Sequence, residues 1–148
     1  MNTRGRRTIH LSVEADFPSV RLLAAACHGV LAEWGLAPDR RSLLELAVVE
    51  AATNVVRHAY RGRGGRVEVE LSREGKSITL SVLDSGISFD PSLVPAPCEP
   101  DPKDPSTWPE GGMGLPIIRA ACDELGYVSE GGRNRLTLHL KAEELETP

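Results

Sequence analysis

Aromatic residues and cysteines are both scarce in this chain of 148 residues. Phe, Trp and Tyr together make up 4% of the residues, so the predicted core depends on Leu, Val, Ile and Ala. The three cysteines are Cys27, Cys98 and Cys122, and no C-x-x-C pair occurs. An odd number of cysteines without that spacing argues against a disulfide scaffold and against a structural zinc site. We therefore expect a reduced, cytoplasmic protein.

Long apolar runs and an excess of positive charge are missing as well. No stretch approaches the roughly 18 apolar residues of a membrane span, and the N-terminus has no apolar signal core. The net charge is −4, from 21 acidic and 17 basic side chains. Broad nucleic-acid binding needs a basic surface that displaces counterions. The sequence therefore predicts neither a membrane span nor direct contact with nucleic acid.

The pattern of apolar residues predicts a strand followed by two helices within a single domain. Residues 7–13 alternate polar and apolar side chains, as a half-buried strand does. Pro18 opens a helix that ends before Gly35, and Pro38 opens a second helix that runs to about Tyr60. The second helix has an apolar stripe made of Leu43, Ala47, Val48, Ala51 and Val55.

Two predicted hairpins complete the sheet, because alternation returns twice later in the chain. The four strands are residues 67–72, 78–82, 127–130 and 135–141. Glu74-Gly75 is predicted to turn the first hairpin. Gly131 and Gly132, with Asn134, are predicted to turn the second hairpin.

Residues 90–109 hold seven of the eleven prolines and match neither a helix nor a strand. Such a segment has few backbone donors and cannot join the interior of a sheet. A third helix is predicted from Gly111 to about Leu125, with Pro116 in its first turn. This order of elements predicts an α+β fold, a two-layer sandwich in which a mostly antiparallel mixed sheet is covered on one face by three helices.

The second predicted helix carries a polar stripe beside its apolar one. Glu50 and Asn54 are four residues apart and project from one face, and Arg57 and Arg61 continue the row. Asparagine is a poor helix-interior residue, which favours a ligand role for Asn54 over a solvated edge. Its amide oxygen suits Mg²⁺, and Glu50, one turn away, suits a general base. His58 either packs near the helix end or contacts a phosphate.

A second candidate segment is Asp84-Ser-Gly86, at the end of a predicted strand. Val82 and Leu83 come before it and are apolar, so the carboxylate is predicted to leave a buried strand. One interpretation is a strand-terminating turn, where Asp-x-Gly is common. The other is a carboxylate that accepts a hydrogen bond from the amino group of adenine, with Gly86 leaving room for the flat ring.

The third candidate segment is Gly112-Met113-Gly114-Leu115, where a loop is predicted to open into a helix. Glycines permit close backbone approach, and the amides at a helix start favour an anion such as phosphate. For a lone motif of this kind, a flexible hinge is the simpler explanation. No G-x-x-x-x-G-K-[ST] occurs, so a P-loop is excluded. The three segments, in this order, predict an ATP site of another kind.

Together these segments resemble the motifs of the Bergerat-fold (GHKL-type) ATPases, the superfamily of gyrase B subunits, heat-shock chaperones, mismatch-repair ATPases and histidine kinases. The matching motifs are an N box at Glu50-x-x-x-Asn54, a first glycine box at Asp84-x-Gly86 and a second at Gly112-Met113-Gly114. The resemblance covers about residues 7–141. It implies a single ATP-binding domain with a lid at about residues 90–110.

Within that superfamily, the N box ending in His58-Ala-Tyr60 resembles that of the bacterial anti-sigma factor serine kinases. This resemblance implies binding of ATP and Mg²⁺, sequestration of a sigma factor by a homodimer, and phosphorylation of a serine on an anti-anti-sigma (STAS-like) partner. It also implies that Glu50 is the catalytic base, Asn54 the Mg²⁺ ligand and Asp84 the adenine contact. The other nucleotide contacts would be Arg57, His58, Gly86, Gly112, Met113, Gly114 and Leu115.

One residue departs from the pattern of these kinases. Glu110 stands two residues before Gly112, where the kinases carry an arginine available to the terminal phosphate. A carboxylate there would repel a γ-phosphate, so Lys103 or Arg57 would have to substitute. The departure favours an alternative function, an ATP-dependent partner-binding switch module without productive phosphoryl transfer. A histidine kinase catalytic domain is disfavoured, because no upstream dimerisation helices with an acceptor histidine are seen.

Overall fold

The computed structural model describes residues 5–88 and 114–142. In chain order the elements are β1 (Arg7–Glu14), α1 (Phe17–Glu33), α2 (Pro38–Asn54), a π-helical turn (Val55–Ala59), β2 (Arg66–Glu74), β3 (Ser77–Asp84), α3 (Gly114–Ala120), β4 (Glu124–Glu130) and β5 (Arg133–Lys141). The predicted order of strands and helices is confirmed. The predicted lid lies outside the described residues, as do Cys98, Lys103 and Glu110.

The five described strands form one sheet in the order β1-β2-β3-β5-β4, and every pairing between them is antiparallel. The predicted α+β sandwich is confirmed, with a sheet that is antiparallel throughout the described strands. The helices pack on one face, which carries alternate apolar residues of the strands. The opposite face carries serine, threonine and charged side chains, among them Ser72, Ser81 and Thr137.

The core lies between this sheet and the helices, and it is almost wholly aliphatic. The inward positions of the three central strands are buried: Val67, Val69, Leu71, Ile78, Leu80, Val82, Leu136, Leu138 and Leu140. The helices contribute Leu23, Leu31, Leu44, Val48 and Ile118. In α2 the fully buried leucine is Leu44, while the predicted Leu43 is half-buried. None of the described helices has the length and apolarity needed to cross a bilayer.

Helix α1 begins and ends where the sequence predicts. The Asp16 side chain caps it by accepting a hydrogen bond from the Ser19 N–H at 2.8 Å. Hydrogen bonding by the Ser19 side chain, together with that backbone bond, lowers the pKa of Asp16 below its usual value. Gly35 follows the helix with φ of 81°, a conformation that favours glycine. On its inner face Cys27 is a free thiol, and burial raises the pKa of Cys27 to about 12.

Two predictions about the C-terminal part are wrong. The third helix does not reach Leu125, because α3 ends at Ala120 and β4 begins at Glu124. The change from helix to strand occurs where the Asp123 N–H donates to the His139 carbonyl at 2.8 Å, which starts the pairing of β4 with β5. Asn134 is not a turn residue either, since it lies within β5 opposite Asp84.

Candidate functional site

The candidate aspartate ends β3 and is buried. Asp84 is 8% exposed, and its Oδ1 accepts hydrogen bonds from the Gly86 N–H at 2.9 Å and from Asn134 Nδ2 at 2.7 Å. Burying a carboxylate is costly unless it is hydrogen-bonded, and these two donors meet that need. The bond to Gly86 is the aspartate turn that the sequence suggests. Asp84 also lines a cavity, so the turn and a ligand role are compatible.

Asn134 is the site residue that the sequence analysis misses. It is 2% exposed and donates through Nδ2 to the Gly86 carbonyl at 3.0 Å as well as to Asp84. Its Oδ1 accepts a hydrogen bond from Ser129 Oγ at 2.7 Å. The signal for it was alternation, because Asn134 occupies the same face of β5 as Leu136 and Leu138. A polar residue at the inward end of an apolar series is a candidate site residue.

Gly86 packs tightly against the end of the π-helical turn. A Cβ added at Gly86 would lie 2.5 Å from the carbonyl oxygen of Ala59, a distance that side chains do not tolerate. The same oxygen accepts a hydrogen bond from the Ile87 N–H at 2.9 Å. The backbone of Ala59 therefore requires glycine at this position, in addition to the predicted room for a ring.

The second predicted helix changes its winding just after Asn54. Residues Val55–Ala59 form a π-helix, in which the Tyr60 N–H donates to the Val55 carbonyl at 3.0 Å. Short π-helical turns of this kind are frequent at functional sites. The helix ends before Arg61, which has φ of 51°. The prediction that Arg61 continues the polar row of the helix is therefore wrong.

Tyr60 ties this helix end to two strands. Its hydroxyl accepts a hydrogen bond from the Ser85 N–H at 2.9 Å and donates one to the Arg66 carbonyl at 2.7 Å. Its ring lies over Gly65, where an added Cβ would be 2.3 Å from the ring. The loop after Asp84 is therefore anchored by a side chain from the N-box helix.

One cavity brings the first two candidate segments together. Asn54 and Asp84 both line it, and the volume open to the centre of a water molecule is about 30 Å³. Its other walls are apolar or aromatic and consist of Ala51, Val55, Ala59, Val82, Ile87, Tyr127 and Leu136. Flat apolar walls with two polar groups suit an aromatic base that carries a hydrogen-bond donor.

Glu50 lies one helical turn before Asn54, about 6 Å along the axis of α2. Both side chains are half-buried. Glu50 is not among the residues that line the cavity, so it stands beside the pocket rather than within it.

Arg57 and His58 are exposed on the π-helical turn, and neither lines the cavity. The guanidinium carbon of Arg57 lies 5.5 Å from the centroid of the Phe17 ring, at the start of α1. This distance is within the range of a cation–π interaction. The structure therefore places Arg57 against α1.

The third segment is described only in part. Gly112 and Met113 lie outside the described residues, Gly114 is the first residue of α3, and Leu115 is half-buried. Helix α3 packs against α2. The start of α3 and the helix that carries Glu50 and Asn54 therefore belong to the same layer.

Residues 13–140 match the family described as histidine kinase-like ATPase domain. The chain belongs to this family. The matched range contains every described candidate residue, from Glu50 to Leu115. The predicted resemblance to the superfamily that includes the histidine kinases is confirmed.

Curated relatives of this ATPase domain extend over almost its whole length. The serine-protein kinase RsbW of Bacillus mycoides (strain KBAB4) is 28% identical over 141 residues, which is 93% of this chain and 88% of the relative. The protein of the same name from Bacillus cereus (strain G9842) gives the same identity and coverage. These names agree with the predicted serine kinase branch.

Solved structures share the fold of this ATPase domain. The RsbU and RsbW domains of a Mycobacterium tuberculosis protein match 96% of the chain with a TM-score of 0.61 and 21% identity, and the chain spans 33% of that longer protein. The Acinetobacter baumannii histidine kinase AdeS matches 90% of the chain with a TM-score of 0.51 and 16% identity. At these identities the likeness supports the fold.

Proposed function

We propose that this ATPase domain is an ATP-binding serine-protein kinase that acts as an anti-sigma regulatory factor and phosphorylates an anti-anti-sigma antagonist. The observation that carries the proposal is the meeting of Asn54 and Asp84 in one apolar cavity. The names of the curated relatives support the kinase activity.

The described residues fit an adenine nucleotide. The buried carboxylate of Asp84 would accept the hydrogen bond of the adenine amino group, and the apolar walls would contact the ring faces. A site built around such a bond rejects a base that lacks the donor by as much as ~10⁴-fold. By motif, Gly112, Met113, Gly114 and Leu115 would contact the phosphates, and Arg57 and His58 would add further contacts.

The residues of α2 would support phosphoryl transfer. The side-chain oxygen of Asn54 is a neutral, hard donor that would hold Mg²⁺ together with phosphate oxygens. When bound, Mg²⁺ supplies positive charge that neutralises the phosphates. Glu50, one turn away, would accept the proton of the substrate serine hydroxyl, so that the oxygen attacks the terminal phosphorus while ADP leaves.

The kinase proposal is tested by Glu50→Gln. We expect transfer of labelled phosphate to the antagonist to fall by ~10²–10⁴-fold, because the general base is lost, while ATP affinity stays within about twofold. Glu45→Gln is the matched control on the same helix, since Glu45 pairs with His28 at 2.8 Å and lies outside the cavity. Undiminished transfer in Glu50→Gln would remove Glu50 from the role of base.

A switch module without productive transfer is the second candidate function, and Glu110 is the observation that favours it. In this case ATP would only shape the surface that binds the partner. Partner affinity that rises with ATP, with no phosphoserine detected by mass spectrometry, would support the switch. Phosphoserine on the partner would exclude it.

The proposed partners are a sigma factor and an anti-anti-sigma (STAS-like) protein, bound by a homodimer in the cytoplasm. Pull-down from the native host with ATP or ADP, followed by phosphosite mapping, tests both partners. Sedimentation of the purified protein tests the dimer, and a mass of 16.0 kDa at micromolar concentration would contradict it.

A further inference from the structure

Asn134 occupies a position at which the sheet would otherwise continue an apolar series. It lies on the helix-facing side of β5 with Leu136, Leu138 and Leu140, directly opposite Asp84 on β3. Burying an amide is costly unless it is hydrogen-bonded. Asn134 is 2% exposed, so its hydrogen bonds must offset the cost of burying its amide at this position.

The orientation of the Asn134 amide is fixed by its neighbours. Its Nδ2 lies 2.7 Å from Asp84 Oδ1 and 3.0 Å from the Gly86 carbonyl oxygen, and both of those atoms only accept hydrogen bonds. The amide end that meets both must be the donor. On the other side, Ser129 Oγ lies 2.7 Å from Asn134 Oδ1 and donates to it. The Asn134 amide is therefore held in this orientation by two acceptors at Nδ2 and one donor at Oδ1.

These contacts divide the two oxygens of the Asp84 carboxylate. Oδ1 receives both the Asn134 amide and the Gly86 N–H, while neither of these bonds uses Oδ2. Two donors on Oδ1 hold the carboxylate in one orientation on the wall of the cavity, and Oδ2 is the oxygen that neither of them occupies. A side chain fixed in this way does not have to be ordered when a ligand binds.

We propose that Asn134, held by Ser129, is a positioning residue that sets the preference of the site for adenine. This inference rests on the proposed function, because it concerns the base of the bound nucleotide. Asn134 occupies Oδ1 of Asp84 and so presents Oδ2 to the amino group at C6 of the purine. A purine with a carbonyl at C6 would bring an acceptor against this acceptor.

The test compares ADP with IDP, which carries a carbonyl in place of the C6 amino group. Calorimetry gives the dissociation constants of both for the wild type and for Asn134→Ala. We expect ADP affinity to fall about tenfold in Asn134→Ala, corresponding to ~1.4 kcal/mol, while IDP affinity changes little. The IDP-to-ADP ratio of dissociation constants therefore falls about tenfold. A merely structural role would weaken both nucleotides alike and leave the ratio unchanged.

Thr137→Ala is the matched control on the same strand. Thr137 faces the opposite side of the sheet, where its hydroxyl lies 3.2 Å from Ser81 Oγ. This variant loses one hydrogen bond of similar kind, and its IDP-to-ADP ratio should equal that of the wild type. Asp84→Asn adds a double-mutant cycle, in which Asn134→Ala should have almost no further effect on the ratio.

Ser129→Ala keeps the proposal testable if Asn134→Ala does not fold. Ser129 is exposed, so its removal spares the core, yet it deletes the hydrogen bond that holds the Oδ1 end of the Asn134 amide. We expect the ratio to fall about threefold in Ser129→Ala, less than in Asn134→Ala. If Asn134→Ala folds, an unchanged ratio in that variant overturns the inference alone. If it does not fold, an unchanged ratio in Ser129→Ala overturns it. Failure of the wild type to bind ADP overturns the proposed function and the inference together.

Discussion

The polar residues at and beside the cavity fall into two sets, a strand side and a helix side, that are organised differently. On the strand side, Asp84, Gly86 and Asn134 are joined by three hydrogen bonds and are largely enclosed. On the helix side, Glu50 and Asn54 are half-buried, and their side chains form no hydrogen bond with the residues that the structure describes. The strand side is arranged before any ligand arrives, which suits recognition of one rigid base. The helix side has its polar groups available for ligands, which suits a metal and flexible phosphates.

The largest expected effect comes from Asp84→Asn, which removes the charged acceptor of the strand side. We expect ADP affinity to fall by at least ~10²-fold, because the amino group of the base would lose its partner inside a largely apolar cavity. Calorimetry with ADP measures the loss. Asp123→Asn is the control, since the Asp123 side chain lies on the surface outside the cavity, where it accepts from the Lys141 N–H at 2.8 Å and pairs with Arg40 at 4.0 Å. ADP affinity equal to that of the wild type would contradict the assignment of the base side.

Gly86→Ala tests the close packing between the two sides. The added methyl group would meet the Ala59 backbone at 2.5 Å, so we expect the free energy of unfolding to fall by ~1–3 kcal/mol. Urea denaturation measures it. Gly126→Ala is the control within the same sheet, because an added Cβ there has no neighbour within 4 Å. Equal stability of Gly86→Ala and wild type would show that the contact with Ala59 relaxes easily.

Asn54→Ala tests the helix side by itself. We expect the affinity for ATP with Mg²⁺ to fall about tenfold, because a metal ligand is lost, while the affinity for adenosine stays the same. Calorimetry with both ligands separates the two outcomes. Thr53→Ala, at the adjacent half-buried position, is the control. A parallel loss for adenosine would mean that Asn54 serves the base side.

Tyr60→Phe has the smallest expected effect. It removes the hydroxyl that joins the Ser85 N–H to the Arg66 carbonyl, and we expect unfolding to become easier by ~1 kcal/mol. Thermal denaturation with and without ADP measures this change. The stabilisation that ADP gives should persist, since Asn134 still holds Asp84. Loss of that stabilisation would show that Tyr60, rather than Asn134, maintains the strand side.

The strands and the aliphatic core could be predicted because alternation in the sequence reports which side of a strand is buried. The alternation correctly predicted that Val67, Val69 and Leu71 are buried. A one-residue slip in strand register would turn all three to the opposite face of the sheet. The choice of Asp84 as a candidate site residue followed from its position after an apolar run. These features depend on neighbours along the chain, which the sequence displays directly.

The errors arose where distant contacts override local preference. Asn134 follows two glycines and looks like part of a turn, yet pairing with β3 extends β5 to include it. Leu125 fits the period of a helix, but it pairs with Leu138 in the sheet. The π-helical turn was not predicted, and its last residue, Ala59, accepts a hydrogen bond from the Ile87 N–H, a contact that is distant along the chain.

The π-helical turn has a consequence for how insertions and deletions affect this domain. A residue removed from Val55–Ala59 could be accommodated by ordinary α-helical winding, so the helix itself would survive. A residue removed from the α-helical part of α2 would instead rotate every later side chain by about 100° around the axis. The Tyr60 ring would leave Gly65, and the anchor on Ser85 would be lost. The position of Tyr60 around the helix axis is therefore fixed by the backbone groups of Arg66 and Ser85 that its side chain reaches.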